Sequence, residues 1–195
     1  MAFSEESKNE NEVLTAAIRG DVAALTYLVN TYKNLAYTIA RGIVLNNEDA
    51  EEVVQDAFMK AFAALNTFKK ASKFSTWLYR IVYNTAVTKI NSRKLPTIDI
   101  EIHEETERYT AAENDGWDLL TQAERKKYVN LAINKLSKDE RIVIMLYYIG
   151  EKSIGEICEI LGAGKSAVKM RLSRGRAQLE IELKLLLDDD TKSLL

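Results

Sequence analysis

Apolar residues recur at three- and four-residue intervals through most of this chain, and the pattern breaks where acidic and polar residues accumulate. That spacing is the period of an amphipathic helix, at about 100° per residue. It predicts helices over residues 10–19, 22–45, 49–65 and 75–91, then an interruption, then a second set resuming near Thr121. Asn46 or Asn47 is placed to cap the third helix, where Glu48, Asp49, Glu51 and Glu52 suit the positive end of the helix dipole. Ser72 is the candidate cap of the fourth. Ser137 with Glu140, and Ser153 with Glu156, have capping-box spacing, and Gly150 and Gly162 stand where those helices should stop. The last helix starts near Lys165 and is expected to end at about residue 187, with 188–195 as a frayed tail. The expected fold class is all-α, with two small helical domains (1–94 and 121–187) joined by a flexible acidic linker at 95–120.

The interruption reads TIDIEIHEETERYTAAENDGWD, too acidic to bury a core and expected to be extended or disordered in isolation. The alternation in IDIEI has the period of a short strand but no evident partner. A single proline, Pro96, fits a nearly all-helical chain. With 195 residues, 47% of them apolar, there is material for one domain or two small ones. No apolar run approaches a membrane span, and the polar start MAFSEESKNENE is unlike a signal peptide, so a cytoplasmic protein without membrane insertion is expected.

Charge changes the picture. The formal net charge of −2 hides two basic islands: residues 60–94 and 163–179 contain no acidic residue but many lysines and arginines. The helix inside the first island carries two kinds of chemistry. Phe74, Leu78, Ile81, Val82 and Thr85 fall on one arc, an ordinary core stripe. Lys73, Thr76, Trp77, Arg80, Asn84 and Thr88 fall on the opposite arc. Cations that hold phosphate beside a flat ring that stacks on a base suit single-stranded nucleic acid. Taken alone, that arc also suits a solvated face with one stray tryptophan.

Catalytic readings fail on context. LGAGKSA ends like a phosphate-cradling loop, but Glu159 occupies the position of the required first glycine, and the preceding segment GEICEIL is helical by pattern. One His and one Cys leave no persuasive nucleophilic or zinc arrangement, so no enzyme, cofactor or metal is expected.

A short capped helix, the turn Gly162-Ala163-Gly164 and a longer basic helix spell a helix-turn-helix. On the second helix Val168, Leu172, Gly175 and Leu179 share the inward side, while Ser166, Lys169, Met170, Ser173 and Arg174 share the outward one. Lys165, Arg171 and Arg176 flank it. A helix reading a major groove needs this combination: a few side chains for base edges and cations for the backbone.

The run AEEVVQDAFMKAFAALNTFKKASKFSTWLYRIVYNTAVTKINSRK resembles region 2 of bacterial sigma factors of the extracytoplasmic-function (ECF) group. LSKDERIVIMLYYIGEKSIGEICEILGAGKSAVKMRLSRGRAQL is similar to their region 4, in the right order and at the right separation. The resemblance implies a dissociable initiation subunit that lends core RNA polymerase its promoter specificity. By motif position, Glu52, Gln55, Asp56 and Met59 would meet the polymerase, and their spacing independently puts them on one helical face. The loop around Phe68 to Lys73 would capture a base flipped from the minus-ten element, with Lys73, Phe74, Trp77, Arg80 and Asn84 on the melted DNA. Lys165, Ser166, Lys169, Arg171, Ser173 and Arg174 would serve the minus-thirty-five element. An anti-sigma factor is a further implied partner. Ala167 stands where many relatives have a hydroxyl residue, and Gly164 replaces a common proline.

Two other classes fit less of the chain. A stand-alone helix-turn-helix regulator, dimeric on a palindrome, accounts for the second domain but not for the tryptophan-bearing helix. A helical protein-interaction adaptor leaves both basic islands unexplained. The acidic linker between basic surfaces predicts a free protein folded onto itself, with both DNA surfaces masked.

Overall fold

The computed structural model describes residues 10–93 and 121–193. The expected linker, the IDIEI segment and residues 194–195 lie outside the described residues. Every regular element among the described residues is helical. The N-terminal bundle consists of α1 (Glu10–Ile18), α2 (Val22–Val44), α3 (Asn47–Ala63), a 3-10 turn at Leu65–Thr67 and α4 (Phe74–Arg93). The C-terminal bundle consists of α5 (Gln122–Lys135), α6 (Lys138–Ile144) running into a π turn at Met145–Ile149, α7 (Ile154–Leu161) and α8 (Lys165–Ser193).

Local chemistry sets most boundaries. Asp21 caps α2 by accepting from the Ala24 amide at 3.0 Å, and Asn46, one of the two expected caps, serves α3 through the Asp49 amide at 2.9 Å. Thr121 and Ser153 form complete capping boxes with Glu124 and Glu156. Gly162 ends α7 at φ 63°, a left-handed conformation that glycine adopts without a Cβ penalty. Ser72 does not cap α4. Its hydroxyl donates to the Lys73 carbonyl at 3.5 Å, and that carbonyl in turn accepts the first amides of the helix, from Thr76 and Trp77. The last helix also outruns its expected end, reaching Ser193. No glycine or proline in IELKLLLDDDTKS breaks it.

The hydrophobic interior does not stop at the boundary between bundles. Phe74, Leu78 and Val82 of α4 pack with α2 and α3, while Ile142, Leu146, Ile157 and Ile160 fill the second bundle, and one contiguous cluster joins them. Where α2 meets α6 and the π turn the helices come close. A Cβ on Gly42 would lie 2.6 Å from Met145 Sδ, and one on Gly150 would lie 2.9 Å from Leu35 Cδ2. At Gly150 the same Cβ would also lie 2.9 Å from the Leu146 carbonyl oxygen, a backbone atom, whereas at Gly42 it would press on the flexible end of Met145, so the approach favours glycine at both positions and most firmly at Gly150. Arg141, 5% exposed, fastens this seam: its Nη1 donates to the Gly42 carbonyl at 3.2 Å.

Candidate nucleic-acid interface

Helix α4 presents three faces rather than two. At 100° per residue, Phe74, Leu78, Val82 and Thr85 share one arc, Ser75, Thr76, Tyr79 and Tyr83 a second, and Lys73, Trp77, Arg80, Asn84 and Thr88 a third. The first is the core of its own bundle. The second docks the C-terminal bundle. Lys152 donates to Ser75 Oγ at 3.2 Å and sits 5.3 Å from the centre of the Tyr79 ring, and Tyr83 lines a crevice with Asp139, Leu161 and Arg171. Burial raises the Tyr79 hydroxyl to a pKa of about 12, and it lowers that of Lys152, against the opposing pull of Glu156.

The third face is the one on which single-strand chemistry was expected, and the structure sorts its members. Arg80 and Asn84 are exposed. Trp77 is half-buried, its ring stacked 5.2 Å from Phe68 and 5.7 Å from Phe74, centre to centre, so the indole is braced from beneath. Phe74 is buried, as its place on the core stripe predicts, and this corrects the DNA contact that the resemblance implied: at 1% exposure it supports Trp77 and has no free edge for a base. Thr76 is likewise buried, with no hydrogen-bond partner for its hydroxyl among the described residues. Lys73 is exposed, but its ammonium is 3.0 Å from Glu156 Oε1 of the second bundle.

Glu52, Gln55, Asp56 and Met59 share an exposed face of α3, as their spacing requires. Met59 is 71% exposed, an apolar anchor amid charge. Glu52 is tied to Lys89 of α4 at 2.5 Å, and Lys89 also lies 3.6 Å from the buried Asp49. Asp49 had been assigned only to the helix dipole, and nothing in the sequence pattern signalled its burial against α4.

On α8 the inward side is as expected, with Val168, Leu172 and Gly175 buried and Leu179 half-buried. Gly175 is close-packed, since a Cβ there would meet Ile144 Cγ1 at 2.8 Å. Lys165, Ser166, Lys169, Met170, Ser173 and Arg174 are all exposed. Arg171 is committed elsewhere, 2.6 Å from Asp139, and Arg176 lies over the rings of Tyr147 and Tyr148. Docking of the two bundles leaves Arg80, Asn84, Lys169 and Arg174 exposed, and the expected masking by the acidic linker falls on residues outside the described ones.

The sequence pattern missed Glu156, Lys152 and Arg141. Glu156 was visible only as a capping-box residue. In the structure its Oε2 accepts from the Ser153 amide at 2.9 Å and hydroxyl at 2.7 Å, while Oε1 faces Lys73. Burial alone would raise its pKa, but these hydrogen bonds and the Lys73 charge overcome that and hold it down at about 2. No group of three His, Cys, Asp or Glu side chains among the described residues could hold a metal, and no helix among them is long and apolar enough to cross a membrane.

Comparison with known proteins places both bundles. The family described as Sigma-70 region 2 matches residues 28–95, and that described as Sigma-70, region 4 matches residues 126–179. The chain is 34% identical over 172 residues to the ECF RNA polymerase sigma factor SigW of Bacillus subtilis (strain 168), covering 85% of this chain and 92% of that protein. It is 30% identical over 169 residues to the ECF RNA polymerase sigma-E factor of Escherichia coli (strain K12), covering 83% and 87%. Among solved structures it is similar to CnrH in complex with the cytosolic domain of CnrY, with a TM-score of 0.62 at 26% identity, covering 94% of this chain and 99% of that one. It is also similar to the sigma factor RpoE in complex with the anti-sigma factor NepR from Bartonella quintana, with a TM-score of 0.64 at 25% identity, covering 84% and 98%.

Proposed function

The chain belongs to the ECF group of the sigma-70 family, and we propose that it binds core RNA polymerase, recognises both elements of a promoter and opens the DNA between them. One observation carries this reading. A single chain holds three separate exposed faces: the acidic and methionine-bearing face of α3, the Trp77–Arg80–Asn84 face of α4 and the Lys169–Arg174 face of α8. A stand-alone duplex-binding regulator uses the last of these and leaves the other two idle.

Residues 1–94 act as region 2, 95–120 as a connector and 121–187 as region 4, with 188–195 as a tail. Asp56 and Met59 engage polymerase, with Glu52 and Gln55 beside them. Trp77, Arg80, Asn84 and Lys73 hold the melted minus-ten strand. Unstacking a base step costs a few kcal/mol, and stacking on an aromatic returns about 1–3 kcal/mol per base, so stacking offsets much of the cost and melting needs no chemical step from this protein. Lys165, Ser166, Lys169, Ser173 and Arg174 hold the minus-thirty-five duplex, while Arg171 braces α8 against Asp139. An anti-sigma partner follows from the likeness to RpoE, whose structure is recorded with NepR.

Run-off transcription with purified bacterial core polymerase on genomic promoters tests the reading. Promoter-specific transcripts that require this protein are expected. A chain that instead shifts palindromic duplex DNA alone and yields no transcript is a regulator. Asp56→Lys combined with Met59→Ala should weaken core binding about tenfold or more with the helical content unchanged, because both side chains are exposed. Unaltered core affinity in that folded variant would remove α3 from the interface.

A further inference from the structure

Lys73 stands at the edge between the free face and the docking face of α4, and its partner in the docked protein is a carboxylate of the other bundle. Glu156 is placed with unusual care for a surface acid. Its side chain is only 16% exposed, and two bonds from Ser153 fix its second oxygen. Two lysines from opposite bundles flank it, Lys73 at 3.0 Å and Lys152, whose ammonium reaches Ser75 across the seam. Without this charge the two ammonium groups face each other across the docking contact.

We propose that Glu156 stands in for a nucleic-acid phosphate on Lys73, so that capture of the melted strand and docking of the C-terminal bundle compete for one cation. The competition rests on the assignment of Lys73 to single-stranded DNA made above. Both partners are anionic oxygen acceptors for the same ammonium, and linkage makes the effect reciprocal: a bound strand loosens docking as much as docking weakens the strand. Because Lys73 is largely exposed, the effect is modest, on the scale of one surface ion pair.

The test measures binding of a labelled single-stranded oligothymidylate to the free full-length protein at one salt concentration. Glu156→Gln keeps the capping box, since glutamine serves at that position, and removes only the charge. It should tighten binding about two- to fivefold, the range expected of a surface pair. Lys73→Ala should weaken binding, and the double variant should match Lys73→Ala. A gain that persists without Lys73, or no gain in Glu156→Gln while Lys73→Ala weakens binding, overturns the competition and leaves the DNA assignment standing. Binding indifferent to Lys73→Ala overturns the DNA assignment of that residue, and the competition with it. A second measurement does not depend on Glu156→Gln folding. Energy transfer between labels at Asn66→Cys and Glu159→Cys, with Cys158→Ser, is followed through a urea titration of a chain that retains Glu156. It should be lost at lower urea when the oligonucleotide is present, because linkage lowers the docking equilibrium by the same factor of about two to five. An unshifted midpoint at saturating oligonucleotide overturns the proposal.

Discussion

Arg141 holds four carbonyls. Nε donates to Ile133 at 3.1 Å, Nη2 to Asn134 at 2.8 Å and Leu136 at 2.7 Å, and Nη1 to Gly42 at 3.2 Å. The first three belong to the end of α5, where a helix leaves carbonyls without intrahelical partners, and the fourth lies near the end of α2. One cation thus meets the negative ends of two helix dipoles from two bundles. Burial pulls its pKa below the ordinary arginine value, with Arg41 adding to the effect, yet a guanidinium stays charged in proteins. Arg141→Ala should cost about 2–4 kcal/mol in urea unfolding, because it strands several buried acceptors together. Arg141→Lys should recover little, since three donors on one nitrogen cannot span that fork. Full stability in either variant would mean that water replaces the guanidinium.

Among elements, α2 shows how a single position serves two ends. Gly42 is poor for a helix, where alanine is favoured by about 1 kcal/mol. It is retained at the place where Met145 of the π turn approaches, and a π turn is itself a local distortion often kept for function. Gly42→Ala should therefore act with opposite signs. The isolated N-terminal bundle, if expressed alone and folded, should melt a few degrees higher, while docking in the full chain should weaken and its radius of gyration should rise. Methionine is flexible enough to yield, so the undocking should be partial. A full chain that is both more stable and equally compact would show that the seam tolerates the methyl group. Helix α4 carries the same lesson further, since docking occupies an arc that is neither its core face nor the face proposed for DNA.

At the scale of the whole molecule, the proposed function assigns the two basic helices to different steps. Lys169 and Arg174 are exposed on α8 and, on that proposal, would meet duplex DNA before melting, so Ala at either should cost about 1–3 kcal/mol for a bidentate base contact and relax preference at that base. A phosphate-only contact would instead weaken all sequences alike and flatten the salt dependence. Trp77, braced by Phe68 and Phe74, matters only once bases are unpaired. Trp77→Ala should form closed complexes yet fail to open the strands, as read by permanganate reactivity of thymines. A pre-melted bubble template should rescue it and should not rescue the α8 variants. Equal rescue of all three would refute this separation of roles.

The helices, the caps at Asn46, Ser137 and Ser153 and the two-bundle order were legible in the sequence because these are local. A 3.6-residue period and a serine three residues before a glutamate act within one or two turns. The α3 face and the two sides of α8 were legible for the same reason: spacing alone puts their side chains together. What only the tertiary structure decided is which neighbour each polar group meets. An apolar pattern records burial by carbon and is blind to a polar seam, so Ser75, Lys152 and Glu156 look like solvated surface until two bundles enclose them. Phe74 was legible as core from its arc, while the DNA contact that the resemblance implied for it is ruled out by packing against Tyr32 and Phe68, which come from outside α4. The pairing of Arg171 with Asp139 was likewise invisible, because its partner lies on another helix. Long-range pairing of this kind leaves no periodic trace along the chain, and only the packing of α4 and α8 against their neighbours settled it.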